Sequence, residues 1–147
     1  MIGYFLKAGD ESVSEMFSPY IWKEHGFGTL FENAYINKSY GNDLKLILIM
    51  YYVEGAFNIN GPENLKVNNY SNKKKDISVA ITVLPNQFHN RNEFERREFI
   101  VDSTLKAVKL VRDKLSKKKN LDIKFEELIS DVIEIGDEYL RYKKLII

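Results

Sequence analysis

The sequence predicts an α+β domain: an antiparallel β-meander with two long C-terminal helices packed on it and a short N-terminal helix. Three observations predict it. Residues 43–60, DLKLILIMYYVEGAFNIN, contain the most apolar run of the chain. That run is too short to span a bilayer as a helix, and its β-branched and aromatic residues argue for a strand. Two more strand-like runs follow at short spacing, which reads as a meander. The last third then changes to helical periodicity. Strands and helices are segregated along the chain, the mark of α+β rather than α/β.

Each element has its own signal. Residues 2–7 are apolar and aromatic and predict a short first strand. Ser12 with Glu15 three residues on is one capping-box pattern, and Ser18-Pro19 is a better helix start, with Gly26 as its stop. A short helix over 19–25 follows. Residues 27–41 are aromatic without a clean period and could hold a strand at 29–35. The central strand of 43–60 reads as buried on both faces at its start, with alternation beginning near Glu54. A dense turn signal covers 58–64. Strands are expected at 65–70 and 76–84, the second with Ile77, Val79, Ile81 and Val83 on one face and a solvated opposite face. Pro85 ends it. Asn92 with Glu95 caps a helix running to about 117, with Phe94, Val101, Leu105, Val108, Val111 and Leu115 near one face. A second helix runs over 123–142, with Phe125, Leu128, Ile129, Val132 and Ile135 or Gly136 inward.

The 147 residues predict one domain, 1–147, large enough to bury a core. Without cysteine there is no disulfide framework and no thiolate chemistry. The N-terminus lacks a basic segment followed by a long apolar one, and no run is long enough to cross a membrane. The expectation is a cytoplasmic protein with no membrane partner. Twelve of the nineteen aromatic residues lie in positions 1–57, so bulky packing or an aromatic surface belongs to that half.

No catalytic set can be assembled from spacing. His25 and His89 have no ligand at metal spacing, and no phosphate-loop, zinc-protease or nucleophile-elbow motif is present. His25 reads as a helix-end residue and His89 as part of a polar loop. No cofactor, metal or enzymatic activity is expected. Lys73 to Lys75 and Lys117 to Lys119 read as a hairpin tip and a helix end, not as a nucleic-acid surface.

Charge is polarised even though the net charge is only +1. Residues 103–120 sum to +6 and residues 121–139 to −6. Glu127, Asp131, Glu134 and Glu138 are spaced 4, 3 and 4 apart and line one helix face. Like charges at that spacing need compensation, either from the basic helix beside them or from a cationic partner such as a nuclease cleft.

YYVEGAFNINGPENLKVNNYS (residues 51–71) followed by EFIVDSTLKAVKLVRDKL (residues 98–115) resembles a group of small bacterial immunity proteins encoded beside polymorphic toxins, including LXG-type toxins. The resemblance implies a non-enzymatic antitoxin that binds and neutralises a sibling toxin domain, often a nuclease. It supplies no catalytic residues. Candidate partner-binding residues are the stripe Glu127, Asp131, Glu134 and Glu138, with Trp22, Tyr35, Tyr40 and Glu54 as aromatic or acidic anchors. The competing reading is a small-ligand or regulatory module with a pocket between sheet and helices, lined by Glu54 and the tyrosines. A homodimer through strand edges or the helix pair is compatible with either.

Overall fold

In the computed structural model, residues 2–5, 17–53, 65–118 and 120–144 are described. Glu54 and the exit of the long apolar run lie outside them, as does any cavity at Glu54. The chain is α+β, built on a four-stranded mixed sheet of order β1-β2-β4-β3. β1 (Ile2–Phe5) leads through α1 (helical over 17–21) and α2 (Phe27–Ala34) to β2 (Leu46–Val53). β3 (Leu65–Val67), β4 (Asp76–Val83), the short α3 (Pro85–Asn90), α4 (Glu93–Leu115) and α5 (Phe125–Lys144) follow.

The antiparallel meander is corrected. β2 pairs in parallel with β1 on one side and with β4 on the other, and only β3 and β4 are antiparallel. Two facts account for this. The forty residues between β1 and β2 include two helices among the described residues, enough chain for a parallel crossover. The three-residue β3 is too short to cover β2 and takes the outer edge, leaving β4 inside. An inside strand needs two apolar faces, and β4 has them. Ala80 and Thr82 are as buried as Val79, Ile81 and Val83, so the expected solvated face of β4 exists only toward its start. β2 differs from its reading in the opposite sense. It alternates from the start, with Ile47, Ile49 and Tyr51 fully buried and Leu46, Leu48 and Met50 half-buried.

The expected strand at 29–35 is helix α2, whose Phe27 and Phe31 are spaced one turn apart and buried. The short N-terminal helix occurs, but already runs at residue 17 and stops at 21. The Asn92–Glu95 capping box forms in full, with the Asn92 side chain accepting from the Glu95 N–H and the Glu95 side chain from the Asn92 N–H. α4 lies against β2, β3 and β4, while α5 packs on α4 and α2. Phe17 stacks on Tyr51 at 4.7 Å between ring centroids and tilts against Phe88 at 4.3 Å. The Tyr51 hydroxyl shares a 2.7 Å hydrogen bond with Ser103 of α4, so this buried polar group is satisfied.

Candidate functional site

The segment between α2 and β2 folds back along the first half of α5. Two positions with positive φ allow it. Gly41 has φ +109°, and a Cβ there would meet the Asp122 carbonyl oxygen at 2.1 Å. Asn120, just before the point of contact, has φ +71°. The two loops are then stitched together. Asp43 N–H donates to the Asp122 carbonyl (3.1 Å), Asp122 N–H to the Asp43 carboxylate (2.6 Å), and Lys124 N–H to the Tyr40 carbonyl (2.8 Å). The Asp122 N–H and the Lys75 ammonium hold the Asp43 carboxyl below its ordinary range.

This stitching brings most of the acidic stripe against one lysine. Lys38 Nζ lies 2.5 Å from Asp131 Oδ2 and 2.9 Å from Glu127 Oε1. Tyr40 donates its hydroxyl to the same Asp131 oxygen at 2.8 Å, and Tyr35 reaches Glu134 at 3.5 Å. Lys38 also sits over the Tyr35 and Tyr40 rings, at 5.2 and 5.4 Å from their centroids. Its hydrogen bonds to Asp131 and Glu127 push the Lys38 pKa up, and burial followed by the Asp131 hydrogen bond pushes Tyr40 up. Both groups therefore keep their protons at neutral pH. That chemistry suits a brace and offers neither a general base nor a nucleophile.

Among the described residues no ion pair joins the basic helix to the stripe. Arg112 of α4 does reach Glu126, at 3.6 Å, but Glu126 lies outside the stripe. Asp131 is only 7% exposed and Tyr40 only 3%, so neither is available as a contact residue. Glu127, Glu134 and Glu138 remain exposed, and Tyr35 is half-buried beside them. Glu126 and Asp137 add two more exposed carboxylates to the outer surface of α5, where Arg141 is the exposed base among the described residues. Ile36, missed by sequence reasoning, is 63% exposed one residue from Tyr35 and lines a shallow groove with Glu32 and Lys38. Its only sequence signal was an apolar residue in a polar turn. Trp22 is 48% exposed, but it sits at the opposite end of α2 from Tyr35. Among the described residues no cluster of acidic or histidine side chains could hold a metal ion, and no helix is long and apolar enough to cross a membrane.

The family model described as Immunity protein 44 matches residues 8–138, nearly the whole chain, with Lys38, Tyr40 and Asp131 inside it. The chain belongs to the Immunity protein 44 family. It is thus an immunity protein of the polymorphic-toxin type. Neither the curated proteins nor the solved structures contain a match. The acidic helix surface and its brace draw on positions as far apart as Tyr35 and Glu138.

Proposed function

We propose that the chain binds a cognate secreted toxin domain and neutralises it by stoichiometric occlusion, without catalysis, and that this toxin is a nuclease of an LXG-type system. The docking surface is the outer acidic face of α5 with Tyr35 and Ile36 at its border. One observation carries the reading: five exposed carboxylates (Glu126, Glu127, Glu134, Asp137 and Glu138) ride on one helix whose position is fixed by the Lys38–Asp131–Tyr40 node. A nuclease must present cations to the phosphate backbone, and an acidic surface competes for those cations and speeds encounter. Exposed Ile36 offers the apolar contact that usually concentrates interface energy.

The test is charge reversal at two exposed positions, Glu134→Lys with Glu138→Lys, in cells expressing the toxin. Protection should be lost while the circular dichroism and unfolding midpoint stay unchanged. Full protection by this variant removes the α5 face from the proposal. Asp131 is unsuitable for such a test, since a lysine there would face Lys38 at close range. The ligand-module reading rests on a cavity of about 230 Å³ between sheet and helix. Small-molecule sites occupy roughly 300–1,000 Å³, so the cavity favours a smaller occupant.

A further inference from the structure

That cavity lies between the β3 edge of the sheet and α4. Leu65 and the buried Ile81 and Phe99 give it an apolar floor, and the half-buried Glu98 and the exposed Asp102 and Lys106 border it. It opens on a different flank of α4 from the one that meets α5, where Arg97 lies over Tyr139 and Val101 crowds Gly136.

Three acids (Glu95, Glu98 and Asp102) and two bases (Arg91 and Lys106) border it. Glu98 and Asp102 stand one turn apart on one helix, a like-charge spacing that costs stability when nothing offsets it. Among the described residues neither has a hydrogen bond or ion pair, in contrast to Glu127 and Asp131, which share Lys38. Lys106 follows Asp102 by one turn, yet no ion pair forms between them. Arg91, which also borders the cavity, is laid over the Phe99 ring at 4.8 Å. A slot of about 230 Å³ holds one long side chain, not a drug-sized ligand. The side chain that matches an apolar floor with paired carboxylates at the mouth is arginine. Its stem buries along apolar surface and its planar head bonds carboxylates in pairs.

We propose that this cavity is a second anchor point that takes an arginine side chain of the toxin, with its stem on Leu65, Ile81 and Phe99 and its guanidinium between Glu98 and Asp102. The proposal rests on the functional reading above only for the identity of the protein that supplies the arginine. The pocket itself is testable without a toxin. In an NMR titration, acetyl-arginine amide should shift the amide resonances of Leu65, Phe99 and Ser103, and acetyl-glutamine amide should not. E98Q/D102N should weaken that response about tenfold, the scale of one lost charge-assisted hydrogen bond. Equal shifts from both probes, none at these residues, or an unchanged response in E98Q/D102N each overturn the pocket. With the toxin domain, E98Q/D102N should weaken binding by a similar factor; unchanged toxin binding also overturns it while leaving the α5 face intact. If the wild-type protein binds no toxin, the functional reading falls and the arginine titration still decides the pocket.

Discussion

Single residues set the seam, and Asp131 is the one on which it turns. The sequence showed it as one of four carboxylates on a helix face, and by spacing alone all four looked equivalent. The fold separates them. Asp131 goes inward and accepts from both Lys38 and Tyr40, while its neighbours stay in water. Nothing local announces this, because Lys38 is 93 positions away and the contact depends on the turn at Gly41. Asp131→Ala should therefore destabilise the fold by about 2 kcal/mol, chiefly because the Tyr40 hydroxyl loses its acceptor in a buried place. Urea unfolding of that variant beside Glu138→Ala, expected to be near neutral, checks the distinction. Asp43 gives a pH prediction. Its carboxyl is depressed in the fold, so its contribution is present above the ordinary carboxylate range near pH 4 and is lost as pH falls through the lower folded value. Asp43→Asn should flatten the acid limb of a melting-temperature profile below about pH 5 and leave the neutral region parallel to wild type.

Elements were legible where one local signal decided them. α4 and α5 were readable because their apolar periodicity runs over five or more turns, and the Asn92–Glu95 box marks the start of α4. α2 was not, since eight residues offer little more than two turns of pattern and Phe27–Phe31 fits a strand nearly as well. α3 was hidden behind Pro85, which was read as a stop to β4 and is also the first residue of a helix. Strand order was the largest miss. Short loops argue for adjacent strands, yet β4 pushes in between β2 and β3 because its own residues are apolar on both faces. At the α4–α5 contact, both Ile135 and Gly136 proved to be inward, and Gly136 is there for its lack of a side chain: a Cβ would lie 2.7 Å from Val101 Cγ1. Gly136→Ala pits a helix-propensity gain of about 1 kcal/mol against overpacking of about 1–3 kcal/mol. The expected outcome is a net loss of stability in urea unfolding, recovered in part when Val101→Ala is added to make room.

At the scale of the whole molecule the two charged blocks of the sequence meet, among the described residues, in one ion pair, Arg112 with Glu126. Five of the seven acids of the acidic block lie on the outer face of α5, while Asp122 sits in the preceding loop and Asp131 is buried. The basic runs gather elsewhere, with Lys118 over the Tyr70 ring at 5.2 Å beside the turn that carries exposed Lys73 and Lys74. Lys114 of α4 donates to the Val67 and Asn68 carbonyls, which ties the basic end of α4 to the β3 edge. A molecule charged this way is oriented before it touches a cationic partner. Steering acts on the encounter, so Glu134→Gln with Glu138→Gln should lower the association rate with the toxin domain about tenfold at low ionic strength and change dissociation little. Added salt should erase the difference, since at about 1 M the screening length falls to about 3 Å. Lys73→Gln with Lys74→Gln should not slow association. Stopped-flow measurements over a salt series read all of these. If the glutamine pair instead acts on the dissociation rate and survives high salt, these carboxylates are desolvated contacts at the centre of the α5 interface and not a steering field.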